Sequence, residues 1–198
     1  MSINILMPTK FPFFLFVLFF LSVPAMAQDK AAPVCGLSLY TIEGNSMVPL
    51  VRPGDKVETM PPSCLGRAIE DGDIIVFTNA AVKTAIIKRV IARGGDRFAV
   101  REGAVLVNDK KVTTADGRAF HLSEGRLGMI RLYESGYNGV VPKSAYLVIG
   151  EQEGGTTDST RFGMIDISDI KGVMVNNLSA EKRAEGEKPA PQAVTVTK

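Results

Sequence analysis

Ser46 is the first residue of this sequence whose setting suits chemistry, because it lies in the turn Gly44-Asn45-Ser46-Met47-Val48-Pro49 after an apolar segment. A glycine two residues before a serine lets the backbone approach another group closely or take a positive φ. Such a turn can present a hydroxyl and a backbone N–H together, the two groups that acyl transfer needs. Most turn serines only hydrogen-bond their own backbone, so the turn alone does not establish a nucleophile.

Lys88 is the second candidate, and it lies in the apolar segment Ala85–Ile91. If this segment is a strand, its period of two places Lys88 on the same face as Ile86 and Val90. Burial among aliphatic side chains lowers the pKa of an ammonium group, and a neutral amine can take a proton from a serine hydroxyl. The alternative is a lysine at a strand edge whose ammonium reaches water. The residues alone leave both interpretations open.

Other chemistries have little support in the sequence. His121 is the only histidine, it lies in a weakly patterned segment, and we interpret it as a surface or structural residue rather than a triad member. One histidine and two cysteines leave few ligands for a metal, so we expect no metal site. No cofactor is implied by the sequence. A formal net charge of +2 without a basic run gives no electrostatic reason to expect nucleic acid as a partner.

Short strands separated by turns must position these two side chains. Such strands, many and closely spaced, predict a mainly β fold. They are predicted at 34–42, 74–77, 84–92, 98–101, 104–107, 145–149 and 164–167. Glu102-Gly103 has the composition of a hairpin turn. Residues 110–140 are predicted to form an inserted β subdomain or cap, no long amphipathic helix is expected after residue 27, and 179–198 is expected to be a disordered tail.

The N-terminus has the pattern of an export signal. Lys10 precedes the apolar run 11–23, and Ala25-Met26-Ala27 follows Pro24. This order is typical of a secretory signal peptide, while an uncleaved membrane anchor is the alternative for residues 1–27. In both cases the basic flank predicts that the rest of the chain lies across the membrane, in the periplasm or anchored at the inner membrane on that side.

Cys35 and Cys64 fit an oxidising compartment. If they pair, they close a loop of about 30 residues, which stabilises the fold by about 3–4 kcal/mol in the chain-entropy model. Two free thiols are the alternative, because sequence does not show whether their geometry permits a bond. The exported placement favours the disulfide.

Several segments, taken in order, resemble the bacterial type I signal peptidases (leader peptidases). The similarity runs from about residue 41 to 172 within a predicted catalytic domain of residues 34–178. It is carried by Gly44–Leu50 with Pro53-Gly54-Asp55, Gly72–Phe77, Lys88–Asp96, Leu106–Asp109, Val141-Pro142, Tyr146–Gly150, and Thr156–Ser159 with Phe162-Gly163.

The resemblance implies a coiled β-sheet protease domain and a serine–lysine dyad, with Ser46 as nucleophile and Lys88 as general base. It also implies that Thr156 orients the lysine and that Asp158 supports it. In some members a serine hydroxyl at the position of Gly44 adds a second oxyanion donor. The implied substrates are exported precursor proteins with small residues at the first and third positions before the cut, with the membrane nearby.

The chain departs from the family pattern in its late segments. Glu151 and Gln152 replace an aspartate and an asparagine, and Thr160 stands where an arginine is expected, with Arg161 one place later. Leu50 replaces a usual threonine. These departures favour two alternatives to a general signal peptidase: a specialised processing protease of a secretion or conjugation system, or a catalytically silent periplasmic binding protein on the same fold.

Overall fold

Two antiparallel sheets dominate the computed structural model, which describes residues 35–79, 82–152 and 154–186. The large sheet has the strand order β1-β2-β10-β3-β4-β8-β9, and the small sheet has the order β5-β6-β7. The strands are β1 Ser38–Thr41, β2 Lys56–Met60, β3 Ile74–Asn79, β4 Val82–Arg93, β5 Phe98–Arg101, β6 Ala104–Val107, β7 Lys110–Lys111, β8 Ala145–Ile149, β9 Ile165–Asp166 and β10 Ile170–Asn177. The helices are α1 Glu124–Gly136, α2 Ser159–Phe162 and α3 Leu178–Gly186. The mainly β prediction is confirmed.

All seven predicted strands occur in the structure, β5, β6 and β8 with the predicted ends, and three further strands were missed. Strands β1 and β9 are shorter than predicted, whereas β3 and β4 are longer. The missed strands are β2, β7 and β10, and β10 lies between β2 and β3 near the middle of the large sheet. The hairpin at Glu102-Gly103 is confirmed: both residues have positive φ, 50° and 75°, as a tight turn with right-handed strand twist requires.

The small β subdomain is present, but its sheet lies at residues 98–111 and not at the predicted 110–140. The prediction of no long helix after residue 27 was wrong, because α1 occupies 13 residues of the segment 110–140. Leu127 and Ile130 lie on one face of α1 and are buried in a cluster with Phe98, Val100 and other residues of the small sheet. This spacing of three residues is helical, but the glycines within the segment obscured it in the sequence. The second lobe is therefore the small sheet of residues 98–111 with α1 packed against it.

The disordered tail predicted from residue 179 was wrong for its first part, because α3 continues directly from β10. The Ser179 hydroxyl accepts the backbone N–H of Lys56 at 3.0 Å. The Arg183 guanidinium makes two hydrogen bonds to the buried Asp55 carboxylate, at 2.6 and 3.1 Å. The rest of the predicted tail, residues 187–198, lies outside the described residues.

A disulfide joins Cys35 to Cys64, which confirms the favoured interpretation of the two cysteines. It connects the segment before β1 to the short 3-10 helix Pro62–Cys64 that follows β2. The predicted signal peptide or anchor, residues 1–27, lies outside the described residues. None of the helices within the described ranges has the length and hydropathy that a membrane-spanning helix needs.

Candidate active site

Ser46 lies in the tight turn between β1 and β2. The turn is closed by the bond from Val48 N–H to Asn45 O at 3.1 Å and by the bond from Val51 N–H to Met47 O at 3.0 Å. The Met47 and Val51 side chains are fully buried beneath it. Two apolar anchors thus hold the backbone while the Ser46 hydroxyl faces a cleft.

Lys88 lies on β4, opposite Ile75 of β3, and is only 3% exposed. Its Nζ donates to Ser46 Oγ at 2.8 Å and to the carbonyl oxygen of Ile87 at 2.7 Å. Strand β4 therefore places the Lys88 amine beside the Ser46 hydroxyl, although the two residues are 42 positions apart in sequence. Of the two interpretations left open by the sequence, the structure shows the buried lysine and not the strand-edge lysine.

Burial lowers the pKa of Lys88 from 10.5 to about 8, and the negative charge of Asp158 opposes part of this shift. Desolvation penalises the ammonium form, because the strand and turn leave little water to solvate it. About a tenth of the amine is then uncharged at pH 7, far more than for a lysine with its usual pKa. An amine with this pKa is suited to general base catalysis.

Asp158 is fully buried and organises the residues beside the dyad. Its Oδ2 accepts the Thr156 hydroxyl at 2.7 Å and the Gly150 N–H at 3.2 Å. Its Oδ1 accepts the Thr160 N–H at 3.0 Å and the Thr160 hydroxyl at 2.6 Å, so it also caps α2. Thr156 thus donates to Asp158, whereas the bonds of the Lys88 amine go to Ser46 and Ile87. The role of Thr156 in orienting the lysine stays a prediction.

Arg126 of α1 is a member of this network that the sequence analysis missed. Its guanidinium donates to the Thr160 hydroxyl and to the Thr156 carbonyl, and Nη1 lies 3.5 Å from Asp158 Oδ1. The missed signal was the helical spacing of 126–136, which buries one face of α1 and carries Arg126 to the site.

Glu151 and Gln152, which depart from the family pattern, both make contacts near the Ser46 turn. The buried Glu151 carboxylate accepts Arg89 Nε at 2.5 Å and the Ala115 N–H at 2.7 Å. Gln152 Nε2 donates to the Val48 carbonyl at 3.1 Å. These bonds connect the end of β8 to β4, to the segment before α1 and to the nucleophile turn.

A cleft of about 580 Å³ opens in front of Ser46 and Lys88. Gly44 lies at its rim, with open space where a side chain would stand. Residues Thr84–Ile87 of β4 border the cleft. The pairing of β4 with β8 begins only at Arg89. The lining residues are Tyr40–Gly44, Ser46, Val76, Thr84–Lys88 and Thr157.

His121 is exposed and lies in the segment before α1. In the described part of the chain, no group of three or more histidine, cysteine or acidic side chains could hold a metal ion.

Comparison with known proteins identifies relatives of one kind. A family model described as signal peptidase, peptidase S26, matches residues 15–177. Signal peptidase I of Bacillus caldolyticus is 36% identical over 138 residues, which make up 68% of this chain and 75% of that relative. Signal peptidase IB of Staphylococcus aureus strain COL is 29% identical over 141 residues, 67% of this chain and 73% of that relative.

Two further matches are more distant. The inactive signal peptidase IA of Staphylococcus aureus strain COL is 26% identical over 133 residues, 67% of this chain and 74% of that relative. A crystal structure of a signal peptidase I from Enterococcus faecalis V583 matches with 20% identity and a TM-score of 0.39, covering 54% of this chain and 97% of that chain.

Proposed function

Because this chain belongs to the signal peptidase family, peptidase S26, we propose that it is a serine endopeptidase that cuts exported precursor proteins after small residues in an Ala-x-Ala pattern. The family assignment makes it a serine-type peptidase. The proposal adds the catalytic residues and the substrate preference.

The observation that carries the proposal is the 2.8 Å contact between the buried Lys88 amine and Ser46 Oγ. In the uncharged amine, the nitrogen lone pair accepts the Ser46 proton as Oγ attacks the scissile carbonyl. Lys88 then returns this proton to the leaving amine, and an activated water completes hydrolysis of the acyl-enzyme. The buried setting of Lys88 supports this role, because burial keeps part of the amine neutral at the working pH.

The turn that holds Ser46 also supports stabilisation of the tetrahedral intermediate. The Ser46 carbonyl oxygen accepts the Glu151 N–H at 2.7 Å, which fixes the orientation of the turn. We assign the Ser46 backbone N–H as one oxyanion donor. Gly44 has no side chain to serve as a second donor, so the remaining stabilisation must come from another group at the cleft.

The cleft supports binding of an extended peptide. The edge of β4 before Arg89 has backbone groups that do not pair with β8, and it runs directly to Lys88. A substrate strand added to this edge would place its carbonyl carbon beside Ser46. Apolar side chains, including Ile42, Ile86 and Ile87, line the same cleft and leave room for small residues. Export across a membrane and membrane proximity of the catalytic domain are parts of the same proposal.

A specialised processing protease is the second candidate. The Gln152 side chain contacts the Val48 carbonyl of the Ser46 turn, and the buried Glu151 carboxylate accepts hydrogen bonds from Arg89 and Ala115. A changed support for the nucleophile turn favours a changed substrate range. This candidate predicts efficient cleavage of one or a few precursors and poor turnover of generic signal peptides.

The test is cleavage of a purified precursor with an Ala-x-Ala site by the full-length protein, beside Ser46→Ala and Lys88→Ala. Ser135→Ala, at an exposed position of α1 outside the cleft, is the matched control. We expect cleavage by the wild type and the control, and loss of cleavage with retained folding in both dyad variants. Equal cleavage by all four proteins would exclude the dyad. A folded wild type that cleaves neither generic nor specialised precursors would support the catalytically silent alternative.

A further inference from the structure

We infer that Arg126 of α1 is a positioning residue that holds Asp158 and Thr156 in place and thereby tunes the Lys88 amine. This inference rests on the proposed function, since it assigns a role in the same reaction. It also gives the second lobe a direct part in the chemistry of the first, because α1 packs on the small sheet.

The contacts of Arg126 are those of a built site. Its side chain is 8% exposed and that of Asp158 is fully buried. Nη1 donates to the Thr160 hydroxyl and Nη2 donates to the Thr156 carbonyl. The planar guanidinium thus connects α2 to Thr156, the residue whose hydroxyl donates to Asp158.

Two small residues make room for this guanidinium. Thr160 occupies the position where the family pattern has an arginine. Its hydroxyl accepts a hydrogen bond from Arg126 and donates one to Asp158 Oδ1 at 2.6 Å. Gly155 has a φ of 84°, and a Cβ atom on it would overlap the Arg126 side chain. The positive charge that the family pattern places at residue 160 is therefore supplied by Arg126, which lies 34 positions earlier in the chain.

The electrostatic consequence reaches Lys88 through Asp158. The Asp158 carboxylate raises the pKa of Lys88 against the effect of burial, and it also stabilises the charge of the partly desolvated Arg126. A guanidinium beside the carboxylate offsets part of its field at the amine. The charged groups around the Lys88 site are Asp158 at the start of α2, Glu43 at the cleft rim, the Arg89–Glu151 pair of β4 and the end of β8, and Arg126 of α1. Arg161 of α2 interacts electrostatically with Arg126.

The experiment compares Arg126→Ala and Arg126→Lys with the control Arg131→Ala. Arg131 lies on the same helix, but its side chain is 45% exposed and pairs with Glu124. We expect Arg126→Ala to lower kcat/KM at pH 7 by about 10- to 100-fold, chiefly through kcat, because small misplacements of reacting groups have effects of this size. The acid limb of the pH profile should move to higher pH, since Asp158 then favours the charged form of Lys88.

Arg126→Lys keeps a cation on an aliphatic stem, so it should recover part of the pH shift but less of kcat. The double variant Arg126→Ala with Thr160→Arg returns a guanidinium to the family position and should regain activity over Arg126→Ala alone. Arg131→Ala should match the wild type. If Arg126→Ala does not fold, the same measurements on Arg126→Lys and on the double variant test the inference.

A measurement that does not depend on enzyme activity separates the test of this inference from the test of the proposed function. NMR titration of the Lys88 side chain gives its pKa in the wild type and in the Arg126 variants. If the wild type cleaves no precursor, the proposed function fails, while a raised Lys88 pKa in Arg126→Ala still supports the positioning role. Folded Arg126 variants with an unchanged Lys88 pKa and an unchanged pH profile would overturn the inference, even if their thermal stability falls.

Discussion

The backbone N–H of Glu151 donates to the carbonyl oxygen of Ser46 at 2.7 Å, so the end of β8 is hydrogen-bonded to the proposed nucleophile's own peptide unit. Gly150, the residue before Glu151, lies against the same carbonyl and against Thr156. The proposed nucleophile, the supporting hydroxyl and the late strand therefore meet at a position that has room for hydrogen but not for a side chain.

Gly150→Ala should strongly reduce cleavage. The added Cβ would lie 2.8 Å from the Ser46 carbonyl oxygen and would overlap the Thr156 side chain, so the nucleophile turn must shift. A displacement of about 1 Å at reacting groups can cost about 100-fold in rate, which kcat measurements on the variant would detect. Gly128→Ala on α1 is the control, because open space surrounds its Cβ position and alanine should stabilise the helix by about 0.5–1 kcal/mol. Wild-type kcat in Gly150→Ala would contradict the tight fit.

Cleavage should rise with pH through the pKa of Lys88, which burial lowers to about 8. The deprotonated amine is the active base, so kcat/KM increases roughly tenfold per pH unit below this pKa and levels above it. Precursor cleavage followed from pH 6 to 10 provides the measurement. A flat profile over this range would show that another group, or a step other than proton transfer, limits the reaction.

Lys88→Met should stabilise the fold at neutral pH while abolishing cleavage. The folded-state pKa of Lys88 is below its unfolded value of 10.5. The cost of burying the ammonium therefore lowers the stability of the wild type, and the whole of this cost applies below pH 8. Between pH 8 and 10.5 the unfolded chain binds more protons than the folded chain, and the wild type becomes more stable as the pH rises. The full effect is on the order of 3 kcal/mol.

Urea unfolding at pH 6.5 and 10.5 tests this linkage. The difference in unfolding free energy between Lys88→Met and the wild type should be large at pH 6.5 and should shrink at pH 10.5. A difference that does not vary with pH would mean that lost packing, rather than the buried charge, sets the stability of the variant.

Reduction of the disulfide should destabilise the domain. Cys35 and Cys64 are 29 residues apart in sequence, so the crosslink restricts the unfolded chain and contributes about 3–4 kcal/mol in the chain-entropy model. Urea unfolding with and without a reductant measures the loss of stability. The Cys35→Ser, Cys64→Ser double variant should be as stable as the reduced wild type, and adding a reductant should not change its stability. Because the bridge anchors the segment leading into β1, whose Tyr40 and Thr41 line the cleft, we also expect a higher KM. Equal stability of both redox forms would contradict the crosslink's contribution.

The sequence by itself determined the mainly β fold and the two residues of the proposed dyad. Strands such as Ala145–Ile149 are visible as apolar runs between turn residues, because alternating or continuous burial leaves a local pattern. Ser46 and Lys88 lie in local settings, a glycine turn and an apolar strand, that permit the predicted chemistry, and the resemblance to the type I signal peptidases selected them as a pair. The disulfide was favoured by the compartment but needed the structure, because bridge geometry is not a local property.

Tertiary structure alone decided how distant segments meet around the proposed dyad. Strand β10 occupies its place between β2 and β3 through non-local pairing, and α1 depends on burial of Leu127 and Ile130 to outweigh the cost of its glycines. Arg126 reaches Asp158 because two lobes pack together, and α3 is held by the contact of Arg183 with Asp55, 128 positions earlier in the chain. Contacts between residues far apart in the chain leave no periodic pattern in either segment, so their partners become visible only once the chain has folded.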